Sequence, residues 1–137
     1  MTRPRHALIR ETDRRHIQRG GGAVTTQMVT PESGATAFLN GFTNIPPGGA
    51  IPLHYHNCEE SVLIVAGTAF VEAGDEAFPA DAGDVTWLPA GLPHRFINPS
   101  KSDVLRIFWT YASVDATRTL TDSGKTAPIF SENQETS

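Results

Sequence analysis

Three of the five histidines in this 137-residue chain stand in two short contexts whose spacing suits metal chemistry. The first runs Gly48-Gly49-Ala50-Ile51-Pro52-Leu53-His54-Tyr55-His56-Asn57-Cys58-Glu59-Glu60. Side chains alternate across an extended segment, so His54 and His56 point one way and Tyr55 the other. Glu60 follows a bend, where a strand begins, and can swing back to the same point. The second context is Pro89-Ala90-Gly91-Leu92-Pro93-His94-Arg95-Phe96, where His94 follows a Gly- and Pro-rich turn on a strand able to lie opposite. Three neutral imidazoles and one carboxylate suit a first-row divalent metal. Any one of these histidines alone reads more readily as a hydrogen-bonded core or surface residue. The pair with a nearby glutamate favours a metal, because burying two imidazoles side by side needs a compensating partner. Cys58 falls in the bend, offset from His56, and is expected to pack rather than to bind.

The elements that must position these residues are short. Apolar residues come in bursts bounded by turn residues, as strands do. Expected strands are Val24–Val29, Thr36–Ile45, Glu60–Ala66, Thr68–Glu72, Asp84–Leu88, Pro93–Asn98 and Val104–Tyr111. With the extended histidine segment they make about eight, which reads as an all-β sandwich or barrel. Helical periodicity is confined to a possible stretch around Arg10–Arg19. Gly20-Gly21-Gly22 separates residues 1–22, expected to be a flexible basic arm, from a barrel over residues 23–112. Residues 113–137 read as a polar tail anchored only by Ala127-Pro128-Ile129-Phe130.

The stretch Gly48–Gly67 resembles the first cupin motif, G(X)5HXH(X)3-4E(X)6G, with Gly48, His54, His56, Glu60 and Gly67 at the required spacings. The stretch Gly83–Asn98 resembles the second, G(X)5PXG(X)2H(X)3N, through Gly83, Pro89, Gly91, His94 and Asn98. The resemblance implies a single jelly-roll (cupin) β-barrel of the double-stranded β-helix type. It implies that His54, His56, Glu60 and His94 are the metal ligands, with Gly48 and Gly83 as turn residues and Asn98 as a structural end-of-strand residue. It also implies a homodimer, formed by sheet augmentation through an N-terminal segment, here around Val24–Val29.

The cofactor expected is one divalent transition metal per chain. Four protein ligands already close a tetrahedral zinc site, which argues against catalytic Zn(II). Fe(II) or Mn(II) is favoured, with Ni(II), Co(II) or Zn(II) possible, since an octahedral ion keeps two open positions. Such a site carries about one net positive charge and favours an anionic chelate. Counting by twos places Phe96 beside His94, and Val62 and Ile64 beside Glu60. Phe38, Asn40 and Phe42 share one face of their strand, and Leu105, Ile107, Trp109 and Tyr111 share one face of theirs. The sequence leaves open which of these faces is the inner one, and each aromatic reads more readily as core; Phe38, Phe96 and Trp109 are the candidate substrate contacts. Arg106, on the face opposite Trp109, is a candidate carboxylate clamp if that face is the inner one.

No spare His, Glu or Asp stands at an obvious inward position, so metal-centred chemistry is expected over general-base catalysis. The leading expectation is a small metalloenzyme on an oxygen-rich or enolisable small molecule. Dioxygenation comes first, since cupins resembling this one often do it, with isomerisation, decarboxylation and elimination behind. The rival is a small-molecule or metal-binding module without turnover.

Composition excludes other classes. A hydrophobic fraction of 39% is too high for a disordered chain, and no apolar run approaches a membrane span. The single cysteine removes disulfide frameworks and thiolate-rich zinc sites. Residues 1–19 carry Arg3, Arg5, Arg10, Arg14, Arg15 and Arg19 against Glu11 and Asp13, a local charge of +4 in a chain of net −4. The arm lacks interleaved aromatics and the chain lacks a helix-turn-helix pattern, so no nucleic-acid partner is expected. Without an apolar leader near Met1, a cytoplasmic protein is expected.

Overall fold

The computed structural model describes residues 6–130, so Met1–Arg5 of the expected arm and residues 131–137 of the expected tail lie outside the described residues. Twelve strands run in chain order as β1 (His16–Gln18), β2 (Val24–Gln27), β3 (Leu39–Ile45), β4 (His54–His56), β5 (Glu60–Ala66), β6 (Thr68–Ala73), β7 (Glu76–Asp81), β8 (Val85–Leu88), β9 (His94–Ile97), β10 (Leu105–Tyr111), β11 (Thr117–Leu120) and β12 (Thr126–Pro128). They form two six-stranded antiparallel sheets, ordered β1-β2-β3-β10-β5-β8 and β12-β11-β4-β9-β6-β7. This is the all-β jelly-roll barrel that the two motifs imply.

Alternation sets the inside. Leu39, Gly41, Thr43 and Ile45 of β3, and Leu105, Ile107, Trp109 and Tyr111 of β10, turn inward while their neighbours turn out. Val62 and Ile64 from the first sheet meet Val71 and Phe96 from the second in one apolar core. Gly41 is required by close packing. A Cβ there would strike the Thr26 carbonyl oxygen and lie 2.6 Å from the Trp109 ring.

Asn98 closes the lower end of the barrel. Its buried side-chain amide donates to the carbonyls of Ile45 at 3.0 Å and Asp103 at 2.8 Å, and its Oδ1 accepts from the Ser100 amide at 3.0 Å. One side chain thus satisfies the backbone where β3, β9 and the loop before β10 converge.

Four departures from the sequence reading bear on the site. The region around Arg10–Arg19 is not helical beyond one 3-10 turn at Glu11–Asp13. It enters the sheet as β1, with Ile17 buried. The sheet therefore begins at His16, inside the segment expected to be an arm. β7 was masked by Pro79, which is tolerated because β7 is an edge strand with a free N–H side. β11 and β12 arise from the segment read as an unpatterned tail, and β11 pairs with β4, the histidine strand. Finally, the strand expected over Val24–Val29 ends at Gln27 as β2, paired within the chain with β1 on one side and β3 on the other.

Candidate metal centre

The three histidines come from the second sheet and the glutamate from the first. His54 and His94 face each other across β4 and β9 as a register pair, and His56 lies two residues along β4. Their ring centroids are 4.4 to 5.2 Å apart, and all three are buried. Glu60 opens β5 opposite Leu88 and Tyr111 and reaches across the core. Its Oε1 lies 3.1 Å from His94 Nε2 and 3.4 Å from His56 Nε2. Cis donors on an ion with bonds of about 2.1 Å stand about 3.0–3.4 Å apart, so the spacing fits a single shared ion.

The outer nitrogens decide the chemistry. His54 Nδ1 is 2.7 Å from the Pro52 carbonyl oxygen, His56 Nδ1 is 2.9 Å from that of Thr117, and His94 Nδ1 is 2.8 Å from that of Leu92. A carbonyl only accepts, so each Nδ1 carries the proton and each neutral ring presents a bare Nε2 to the centre. Among the described residues, the Nε2 atoms of His56 and His94 and the Oε1 of Glu60 are buried with no hydrogen-bond partner. Such orphaned acceptors, turned toward one another, repel unless a cation lies between them. A divalent ion satisfies all of them at once, and the three histidines form a group able to hold one.

The electrostatics agree. Burial holds His54 well below the ordinary imidazole value, and the nearby His94 and His56 add to the effect, so it stays neutral and able to ligate. Burial pushes the Glu60 carboxyl up, but hydrogen bonds and positive charge from His56 and His94, which need a proton on Nε2 in the place a metal would take, outweigh it and hold the group down at about 2. Burial also raises the Cys58 thiol, and the side chain packs against the core rather than joining the histidines.

A cavity opens above these donors. Phe96 and Trp109 line it, and Trp109 Nε1 donates to Thr43 Oγ1 at 2.9 Å, which in turn meets Thr25 Oγ1 at 3.0 Å. The other two expected contacts are elsewhere. Arg106 points out of the barrel, because Ile107 and Trp109 take the inner face of β10. Its guanidinium pairs with Glu11 at 2.8 Å and lies 3.9 Å from the centroid of the Phe42 ring. Phe38 precedes β3 in the outward register and is 42% exposed. Neither belongs to the cavity wall.

Several lining residues were missed. Tyr111 packs its ring 4.5 Å from that of His56, and membership of the Trp109 face was the signal for it. Thr25 and Gln27 line the wall from β2, and Arg19 and Arg118 line it from β1's exit and from β11. Nothing local marks the last two, since β1 and β11 become strands only through their partners.

A jelly-roll barrel with three histidines and a glutamate converging at its core is a small β-barrel whose donors could hold a divalent ion. The family model described as a cupin domain matches residues 41–111, and the chain belongs to that family. Protein SchB of Streptomyces halstedii is 29% identical over 109 residues, 79% of each chain. Among solved structures, the polyketide cyclase RemF from Streptomyces resistomycificus superposes with a TM-score of 0.71 at 18% identity, covering 93% of this chain and 88% of its own. A predicted oxalate decarboxylase from Thermotoga maritima gives 0.68 at 23% identity, covering 78% of this chain and 99% of its own. No helix among the described residues is long and apolar enough to cross a membrane.

Proposed function

We propose that this cupin is a metal-dependent enzyme that binds and activates the enolate of an oxygen-rich, enolisable small molecule. The observation that carries the reading is the convergence of unpartnered donor atoms from His56, His94 and Glu60, with every Nδ1 already committed to a carbonyl. A divalent ion held by His54, His56, Glu60 and His94 supplies Lewis acidity toward a bound enolate and, if it is iron or manganese, access to O2 chemistry. The chain's own contribution is to fix the tautomers, to exclude water with Phe96, Trp109 and Tyr111, and to orient the ligand. The polyketide cyclase and the predicted oxalate decarboxylase among the structural neighbours support an oxygen-rich ligand. Dioxygenation is the oxidative form of this reading, and ring closure, decarboxylation, isomerisation and elimination are its redox-neutral forms.

The test begins with metal content by elemental mass spectrometry on untagged protein purified without chelators, beside Glu60→Ala and His94→Ala. Close to one transition-metal ion per chain in the native protein, and loss in both variants, is the expected result. The loaded protein is then mixed with 1,3-dicarbonyl and phenolic compounds in an O2 electrode. Substrate loss with matching O2 uptake assigns the oxidative form, and loss without uptake the redox-neutral forms. Tight binding without loss of any compound overturns the enzyme reading in favour of a binding module.

A further inference from the structure

Two hydroxyls stand in an otherwise apolar row of the cavity wall. Thr25 of β2 faces Thr43 of β3 as a register pair, and the row continues to Ile17 of β1 on one side and Ile107 of β10 on the other. Cross-strand partners leave the same face of a sheet, so the four side chains turn inward together. Thr25 and Thr43 are only 7% and 6% exposed, and both line the cavity.

The hydrogen count of this pair does not close within the protein. Trp109 Nε1 donates to Thr43 Oγ1 at 2.9 Å, and Thr43 Oγ1 stands 3.0 Å from Thr25 Oγ1. An indole N–H only donates, so Thr43 accepts at the head of the chain. Two hydroxyls carry two hydrogens, and the bond between them uses one. Whichever hydroxyl donates, one hydrogen remains, and no acceptor among the described residues takes it. A hydrogen-bond chain is strongest when its members run one way, each polarising the next. That order, Trp109 to Thr43 to Thr25, leaves the spare hydrogen on Thr25. Valine has nearly the shape of threonine and would fill this Ile-flanked position with no hydrogen left unmet, so packing alone does not account for the hydroxyl.

The pair is set well away from the metal donors. Tyr111 is level with Glu60 in the β10–β5 register, and Ile107, four residues back along β10, is level with Thr43. Four residues of strand span about 13 Å. The rings of His56, Tyr111 and Trp109 pave that interval, with successive centroids 4.5 and 4.9 Å apart, and the last ring ends on Thr43.

We propose that Thr25 is a specificity-determining residue, donating its hydroxyl hydrogen to an acceptor oxygen at the end of the ligand remote from the metal. The inference rests on the enolate reading above and narrows its substrate class to elongated, flat molecules oxygenated at both ends. Trp109 and Thr43 act through Thr25, fixing the direction of its O–H and strengthening it as a donor. A ligand with a carbonyl or phenolate oxygen at that end completes the chain. One with a methylene group there displaces water without replacing its hydrogen bond, and binds more weakly.

Two ligands that differ at this one position test the donor. 1-(4-Acetylphenyl)butane-1,3-dione ends in a carbonyl oxygen, and 1-(4-isopropenylphenyl)butane-1,3-dione carries a methylene in its place. Affinities for both are measured by titration calorimetry with the Mn(II)-loaded protein under nitrogen. The affinity ratio in Thr25→Val is the baseline for the electronic difference between the two rings. Wild type should exceed that baseline by about 5- to 20-fold in favour of the acetyl ligand, the range of one buried hydrogen bond. Thr25→Ala, which also lacks the hydroxyl, should match Thr25→Val, and Thr25→Ser should retain most of the wild-type excess. Affinity for the isopropenyl ligand, metal content and melting temperature should change little in Thr25→Val, since the Trp109–Thr43 bond is left in place. A wild-type ratio no greater than that of Thr25→Val and Thr25→Ala overturns the donor role while the enolate reading stands. So does equal loss of both ligands in Thr25→Val, since Thr25 would then shape the wall rather than read the ligand. Failure of both ligands to bind wild-type protein that holds its metal overturns the enolate reading, and the donor role falls with it.

Discussion

Replacing Glu60 by Gln should move the metal-free and metal-loaded proteins in opposite directions. The amide has the shape of the carboxylate but no charge, and its NH2 donates. Glu60 Oε1 stands 3.1 and 3.4 Å from the Nε2 atoms of His94 and His56, and none of the three has a hydrogen-bond partner. With each Nδ1 proton committed to a carbonyl, the two Nε2 atoms of the neutral rings are bare acceptors facing a buried charge. Each orphaned buried acceptor costs about 1–3 kcal/mol, so an amide donating to two of them should stabilise the metal-free protein by about 2 kcal/mol. At about 3–5 °C per kcal/mol for a chain of this size, that is a Tm rise of about 6–10 °C. Metal acts the other way. At a free concentration a thousand times Kd, wild type gains about 4 kcal/mol from binding. Loss of the anionic ligand, taken as at least a hundredfold in affinity, leaves a gain of about 1.4 kcal/mol at the same concentration. Calorimetric or fluorimetric melts of chelator-treated and metal-loaded protein read both arms. If metal-free Glu60→Gln melts below wild type at high pH and the metal-induced rise is unchanged, the four residues are a self-sufficient polar network and the metal reading is wrong.

The metal-free protein should lose stability as pH falls through about 6.5. Burial keeps folded His54 neutral while the unfolded chain takes up the proton, giving up to about 1.4 kcal/mol per pH unit. A second decline should follow below 4.5, since folded Glu60 releases its proton down to about 2. Urea midpoints of chelator-treated protein at several pH values check both, and a flat profile refutes them. Asn98→Ala strips partners from the Ile45 and Asp103 carbonyls and the Ser100 amide, and should cost about 2–4 kcal/mol in urea unfolding without changing metal content. Arg106→Gln should leave metal and diketone binding untouched, because its guanidinium sits outside the barrel on Glu11 and Phe42. We also propose a homodimer that covers Val85 and Trp87, exposed at 62% and 64% on edge strand β8. Sedimentation at micromolar concentration should give twice the 14.8 kDa chain mass, and a monomer refutes the proposal.

How far the site could be read in advance depended on the range of the interactions involved. The spacing of His54, His56, Glu60 and His94 is local, and one period-two segment plus one turn brings the first pair together whatever the rest of the chain does. The strong strands behaved likewise: β5 at Glu60–Ala66 matches its expected bounds, and β10 departs by one residue. Weak strands behaved otherwise. β1, β11 and β12 have three or four residues each and little apolar pattern, and they are strands because a neighbour supplies the ladder.

The sequence by itself therefore determined the donor set, the all-β class and the alternation of the long strands, since each depends only on residue type and separations of a few positions. Tertiary structure alone decided which face of β10 looks inward, sending Trp109 to the cavity and Arg106 to the surface. It also decided that Thr117 lends its carbonyl to His56, and that Arg19 and Arg118 line the same cavity as His54, Glu60 and His94. Those outcomes depend on strand pairing between residues as much as 72 positions apart, as with Tyr111 and Leu39. Backbone hydrogen bonding of that kind is indifferent to side-chain type, so it leaves no local mark to read.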